Sequence, residues 1–383
     1  MPPRITFDIS PLLTISTGIG YYTANLVSYL MALQPEIRWS FFSIPGRKPK
    51  EVDIQTSGQA IRQIIDPWFL PARLTSLLLQ APLQRLLAVE SFIGDSDLFH
   101  WTNFLCCSQR AGKKILTVHD ISFFLFPEYH PLKRRQLFKA LFPRSLEQAD
   151  HIITVSHHTK NDLVRYFQVP ASKITAIHLG ADPSFAPVTQ EGAAPVLSEY
   201  GISFGRYLLC VGTLEPRKNL VRLLLAYDQF RASSSGKLQL VLVGADGWLN
   251  QELYSTIERS SWKRDIKILG YVPKTHLPAL YSGAVAFIYP SVYEGFGLPP
   301  LEAMACGAAV ITSNCSSLPE VVGDAALVVD PKKIDDIAGA ISKLADDVAL
   351  RETLKGRSLA RAKVFDWQAT AHETLRVYEK VLG

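Results

Sequence analysis

The stretch Tyr289-Pro-Ser-Val-Tyr-Glu-Gly-Phe-Gly-Leu-Pro-Pro-Leu-Glu-Ala-Met-Ala-Cys-Gly307 decides how this chain is read. Ahead of it, residues 284–288 form a short, β-rich apolar run with the length of a buried strand. Gly295 and Gly297 permit a tight turn, and Pro299 and Pro300 suit a first helical turn, where a missing N–H costs nothing. The pattern predicts a strand, a loop carrying Glu294, and a helix carrying Glu302 about one turn in, with the amides of residues 295–298 at the helix start. Carboxylates accept from sugar hydroxyls, while amides at a helix N-terminus favour phosphate, so the mixture suits a polyol with an anionic leaving group. Taken alone, the spacing fits two solvated glutamates on a capped strand–loop–helix as well.

Outward from this stretch the same geometry recurs. Gly18 and Gly20, His119, Ser156, the run from Gly212 to Lys218, Gly244 and Glu294 each follow a β-like run and precede a helix. In open α/β sheets ligands lie outside the carboxyl ends of the strands. Strand-like runs cover residues 5–10, 39–44, 96–100, 114–118 and 151–156 in the first half, and 207–211, 238–244, 266–270, 284–288 and 308–313 in the second. Helical patterns alternate with them, which implies α/β domains with parallel, doubly wound sheets. A chain of 383 residues exceeds one core, so two Rossmann-like domains are expected. The Pro- and Ala-rich residues 183–200 read as a linker, which puts the first domain at 1–187 and the second at 188–366, with a last helix over 367–383.

Glu294-x7-Glu302 in its context, Gly212-Thr-Leu-Glu-Pro-Arg-Lys-Asn219 and Ser317-Leu-Pro-Glu-Val-Val-Gly-Asp-Ala-Ala326 together resemble the family-4 retaining glycosyltransferases, which have the two-domain GT-B fold. The likeness is strong over the second half of the chain. In the first half, Val118-His119-Asp120 followed by Phe126-Pro-Glu128 resembles a subgroup rich in mannosyl- and related transferases. The resemblance implies two sheet edges facing a cleft, a C-terminal helix that crosses back onto the first domain, a donor held mainly by the second domain and an acceptor by the first. It assigns Arg217 and Lys218 to the donor pyrophosphate and Glu302 to the ribose diol. Glu294 and the amides of Phe296, Gly297 and Leu298 go to the sugar hydroxyls, and His119 to the sugar near the reacting carbon. Gly212 and Thr213 join the donor site, and the turn containing Val272 lies near the nucleotide base. Residue chemistry points the same way: two cations at a helix start are disfavoured by the dipole unless an anion sits between them, and glycines at 18 and 20 let a backbone approach phosphate.

Other classes fit less well. As a dinucleotide fingerprint, Gly18-x-Gly20-x-x-Thr23 lacks its third glycine and an acidic residue after the next strand. The formal charge of +5 comes wholly from the first half: residues 1–190 carry 19 Lys/Arg against 14 Asp/Glu, and residues 191–383 carry 21 against 21. No basic stripe with interleaved aromatics accompanies it, so nucleic acid is not expected, and an anionic membrane surface or phosphorylated acceptor explains the asymmetry better. Two segments are candidates for membrane contact: the apolar tract 67–87, with Arg73 and Arg85, and residues 131–144, whose stripe of Leu132, Leu137, Phe138 and Leu141 runs beside Lys133, Arg134, Arg135 and Lys139. Five cysteines without C-x-x-C spacing, no cationic leader and no apolar run of bilayer length point to the cytoplasm, with peripheral attachment to the inner face of the cytoplasmic membrane.

The expected activity is retaining transfer of a hexosyl group, mannose favoured, from a nucleoside diphosphate sugar to a lipid-linked saccharide or polysaccharide. No Asp-x-Asp follows a strand to bridge metal and diphosphate, so a metal-independent reaction without a cofactor is expected. The alternatives are a nucleotide-sugar epimerase on the same frame and a noncatalytic sugar-nucleotide-binding protein.

Overall fold

The computed structural model of the chain describes residues 1–13, 18–43, 64–65, 88–107, 109–234 and 236–383. The apolar tract 67–87 lies outside the described residues. Two compact units emerge. One comprises Met1–Phe124, Leu132–Gly180 and Trp367–Gly383, the other Leu125–Pro131 and Ala181–Asp366.

In the first unit β1 (Arg4–Asp8), β2 (Arg38–Phe42), β3 (Ile64–Ile65), β4 (Leu98–Trp101), β5 (Lys113–Val118), β6 (His151–Thr154) and β7 (Ile174–Ala176) form a parallel sheet in the order β3-β2-β1-β4-β5-β6-β7. The second unit builds its sheet from β8 (Tyr207–Val211), β9 (Gln239–Val243), β10 (Ile266–Gly270), β11 (Ala286–Tyr289), β12 (Val310–Ser313) and β13 (Ala326–Val329), in the order β10-β9-β8-β11-β12-β13. Both sheets are doubly wound: strand order reverses between β1 and β4 and again between β8 and β11, the switch points where crevices open. The expected α/β class with two Rossmann-like sheets therefore stands. Every residue of β4, β6, β8, β11 and β12 is buried, as parallel strands covered on both faces require.

Glycines fix the carboxyl edge of the second sheet. The Gly212 amide donates to the Val243 carbonyl and the Gly244 amide to Gly270, each at 2.8 Å, tying the ends of β8, β9 and β10 together. Gly244 has φ +148°, and a Cβ there would lie 2.0 Å from the Gly212 carbonyl oxygen. Only a bare backbone fits.

The C-terminal helix (Trp367–Leu382) belongs to the first unit and is tied to its core by a buried polar chain. The imidazole of His100 on β4 meets the Tyr378 hydroxyl at 2.6 Å and the Thr117 hydroxyl at 2.7 Å, and Thr117 meets Tyr22 at 2.9 Å. Burial keeps His100 neutral, at about 3.

The expected linker is corrected. The units part at Gly180/Ala181 rather than 187/188, and residues Gln190–Glu199 form a helix. Thr189 caps it by accepting from the Gly192 amide, while Ala193 and Leu197 are buried. Pro195 lies inside this helix, where a proline ordinarily weakens helical bonding, and packing and capping override it. A second departure is the segment Leu125–Pro131, which the chain supplies from between two parts of the first unit to the second.

Candidate functional site

Beyond β8 the chain makes a short 3-10 turn, Pro216–Lys218, before the helix Leu220–Ser233. Asn219 joins them in the left-handed region (φ +61°), secured by its side-chain amide donating to the carbonyls of Pro290 and Pro331. This turn aims Arg217 and Lys218 at the segment after β11. There the Ser291 hydroxyl donates to the Arg217 carbonyl and the Val292 amide donates to the same oxygen, so the two loops at the β8/β11 switch point are stitched side by side.

Glu294 is the centre. Its Oε2 accepts from Arg217 Nη1 at 2.8 Å, and its Oε1 accepts from Lys218 Nζ at 2.6 Å, Ser291 Oγ at 2.6 Å and the Tyr289 hydroxyl at 2.9 Å. Arg217 also donates to the Tyr293 carbonyl at 2.7 Å and, through Nη2, to Glu215 Oε1 at 2.6 Å. Lys218 donates to Tyr289 at 2.6 Å and packs over its ring. Glu215, Lys218 and Glu294 are each less than a tenth exposed. Burial works against a charge on Glu294, but Arg217 and Lys218 hold its carboxyl at about 2. Two anions and two cations thus share one buried, charge-balanced cluster, where low dielectric strengthens each pairing.

The turn into the next helix is fixed from outside. The Glu294 amide donates to Ser316 Oγ, and Ser317 Oγ donates to the carbonyls of Glu294 and Phe296. Gly297 caps the helix Leu298–Ala305 at φ +121°, with Pro299 and Pro300 in the first turn as expected. Phe296 is buried edge-on against Phe365, so its ring serves packing while its backbone faces the turn. Glu302 stands in the helix and accepts from the Tyr281 hydroxyl at 2.9 Å, with burial raising its carboxyl to about 7. Gly212 lies behind Lys218, within 3.6 Å of its chain if given a Cβ. Thr213 is exposed beside it, and Val272 is buried just past β10.

Three of the residues singled out by sequence, Arg217, Lys218 and Glu294, are therefore brought into one hydrogen-bonded cluster. Gly18, Gly20 and His119 belong to the first unit. The two glycines open the helix Gly18–Leu33. His119 follows β5, where its Nε2–H donates to the Thr102 carbonyl at 2.8 Å and its carbonyl accepts from Thr159 at 3.3 Å. Burial lowers its pKa to about 4, so the ring is neutral, held edge-on between Tyr22 and Phe104. Its neighbour Asp120 is a turn residue: one carboxylate oxygen accepts from both the amide and the hydroxyl of Ser122, starting the short helix Ser122–Leu125.

Sequence reasoning passed over Glu215, Tyr289 and Ser291 as members of the cluster. Glu215 stands two residues before Arg217, which is the signal that was there. Tyr289 and Ser291 lie inside the deciding stretch, but pairing them with Glu294 needed the loop conformation. In the first unit Asp8 was also unmarked. It ends β1 at the switch point, and although Ser10 donates to it twice, burial raises its carboxyl to about 6.

Comparison with known proteins agrees with this geometry. Residues 203–359 match the family described as glycosyl transferases group 1, and residues 16–185 match glycosyltransferase family 4. The chain is 36% identical to the O-antigen chain mannosyltransferase B of Escherichia coli, over 98% of this chain and 99% of that one. It is 30% identical to the serotype-specific mannosyltransferase WbdA of the same organism, over 77% of this chain and 36% of the longer relative. Among solved structures, the sucrose-phosphate synthase of Thermosynechococcus elongatus superposes with a TM-score of 0.77 at 22% identity, covering 99% of this chain and 98% of that one, which is a likeness of fold.

Proposed function

Because the chain belongs to the family-4 glycosyltransferases and is a hexosyltransferase, we propose that it moves a mannosyl group, with retention and without a metal, from a nucleoside diphosphate sugar to a hydroxyl of a lipid-linked saccharide or growing polysaccharide. GDP-mannose is the favoured donor, since a relative 36% identical over 98% of this chain is described as a mannosyltransferase. The observation that carries the reading is the Glu215–Arg217–Glu294–Lys218 cluster at the switch point.

Cleavage of the glycosidic C–O bond leaves a diphosphate with added negative charge. Arg217 and Lys218 stabilise that charge more in the transition state than before it, and because Glu294 and Glu215 already fix both head groups, little reorganisation accompanies the reaction. Glu302 holds the ribose diol. The amides of Phe296, Gly297 and Leu298, with Glu294, hold the sugar hydroxyls. His119, neutral and anchored through Nε2, is the first unit's candidate contact for the transferred sugar. No Asp-x-Asp follows a strand to bridge a divalent ion and the diphosphate, which supports the metal-independent reading. The acceptor attacks from the leaving-group side and a phosphate oxygen takes its proton. No helix among the described residues is long and apolar enough to cross a membrane. We place the protein in the cytoplasm, attached peripherally through the basic, partly apolar helix Leu132–Gln148, on which Leu132 and Leu137 are exposed.

The test is turnover with GDP-mannose and a mannosyl acceptor. Arg217→Ala and Lys218→Ala each lower kcat by roughly 10²–10³, the equivalent of about 2–4 kcal/mol of lost transition-state stabilisation. Near-normal turnover in both variants removes the cluster from the reaction, and epimerised donor in the absence of acceptor overturns transfer itself.

A further inference from the structure

The segment Leu125–Pro131 is set apart from its neighbours in sequence: it lies between two stretches of the first unit yet packs within the second. Its 3-10 turn, Pro127–Tyr129, repeats every three residues, so Phe126 and Tyr129 project from the same side. Their rings are nearly parallel, 6° apart with centroids 5.8 Å apart, and both are partly exposed. The pair is anchored at both ends. The Phe126 ring leans on Tyr293 at 5.3 Å, and the Tyr129 carbonyl accepts from the Trp248 indole N–H at 2.6 Å. Tyr293 in turn gives its carbonyl to Arg217 and is followed in the chain by Glu294, so the rings stand one residue away from the charged cluster.

A polar rim accompanies the apolar faces. Glu128, between the two rings in sequence, is exposed, and both Glu128 and Arg222 act electrostatically on the Tyr129 phenol. Arg222 is itself steadied by donating to Asn219 Oδ1 at 2.9 Å. Flat ring faces with a carboxylate, a guanidinium and a phenol at the edge match one chemical class. A pyranose has a face of C–H bonds, whose partly positive hydrogens meet the negative face of an aromatic ring, and hydroxyls at its rim that both donate and accept. A nucleobase also stacks and can use both charges, but the donor base is expected at the turn containing Val272, past β10. A lipid tail uses neither charge.

We infer that the Phe126–Tyr129 ring pair is an acceptor subsite, stacking a sugar ring of the saccharide that receives the transferred group. This rests on the proposed transferase reading, in which the reacting carbon lies next to the Glu294 cluster and the acceptor must lie beside it. The segment then contributes acceptor recognition to the unit that holds the donor, without touching the diphosphate.

The full chain and its Phe126→Ala, Tyr129→Ala and Tyr129→Phe variants are compared with GDP-mannose as donor and an octyl α-mannotrioside as acceptor. Removing either ring raises the acceptor KM about tenfold, with kcat and the GDP-mannose Kd nearly unchanged, because the lost contact binds ground and transition states alike. Tyr129→Phe, which keeps the ring and loses only the rim hydroxyl, raises the acceptor KM less than Tyr129→Ala does. An unchanged acceptor KM in both alanine variants overturns the subsite, and so does a parallel loss of donor affinity, which makes the rings a support of the charged cluster instead. If the parent chain transfers nothing from GDP-mannose, the transferase reading with that donor fails separately. Saturation-transfer NMR with α-mannotriose then decides the subsite: transfer lost in Phe126→Ala supports it, and equal transfer overturns it.

Discussion

Replacing Glu294 by glutamine keeps the shape of the side chain and removes the charge that two buried cations share. The carboxyl is held at about 2 against an ordinary 4.5, so its folded-state interactions amount to about 3 kcal/mol at neutral pH. Breaking a buried pair by removing one partner costs a similar amount, typically about 3–5 kcal/mol, since the cations stay behind with only Glu215 near them. For a unit of this size that corresponds to a fall in Tm of roughly 6–12 °C. Calorimetry at pH 7 measures the fall, and hydrogen exchange over residues 286–305 assigns it to the second unit. The sign with pH is fixed. A depressed carboxyl contributes its stability above its unfolded value and loses it as pH falls towards the folded one, so the gap between parent and Glu294→Gln closes between about pH 4.5 and pH 2. A second substitution sharpens the test. Lys218→Met removes one of the stranded cations, so the double variant is less destabilised than the two single losses added, by about 1.5–3 kcal/mol. A Tm for Glu294→Gln within 2 °C of the parent, or strict additivity with Lys218→Met, refutes the reasoning.

Burial raises Glu302 to about 7; with the proposed ribose role, its ionised form accepts from two hydroxyls better than the acid, so GDP-mannose affinity by calorimetry rises up to about tenfold from pH 6 to pH 8 and the rise is flattened in Glu302→Gln; the same raised carboxyl withdraws stability as pH climbs through the window from 4.5 to 7. Gly244→Ala places a methyl against the Gly212 carbonyl and costs at least about 2–3 kcal/mol in urea unfolding, with loss of donor binding, because the carboxyl edge must part. If helix Leu132–Gln148 meets a membrane, sedimentation with phosphatidylserine vesicles retains the parent and releases Lys133→Glu/Lys139→Glu, whereas neutral phosphatidylcholine vesicles retain neither.

Much of this was legible from local chemistry. The apolar run at 207–211 coincides with β8, because a fully buried parallel strand leaves an uninterrupted hydrophobic record, while β10, a half-buried edge strand, is legible from Ile266 and Ile268 alternating with Lys267. The deciding stretch read correctly as strand, glycine turn and proline-led helix, since each step rests on backbone preferences of the residues themselves. Arg217 and Lys218 stood out as cations where the dipole disfavours them, and the structure answers with Glu294 across the switch point. What stayed hidden depended on distance in sequence. Ser316 capping the Glu294 amide and Trp248 fastening Tyr129 leave no local trace. Pro195 misled because a proline argues against a helix interior, and the burial of Ala193 and Leu197 that outweighs it is a property of the assembled unit.

The way the units share the chain bears on how the protein is made. The first sheet has β4 at its middle, and the His100 on that strand waits for the hydroxyl of Tyr378, nearly three hundred residues later. A ribosome therefore releases all of the second unit before the first is closed, and until then a neutral imidazole and the apolar surface meant for the last helix face water. Chains truncated ahead of residue 367 should be rescued only by chaperones that shield that surface, or by adding the missing helix back as a peptide.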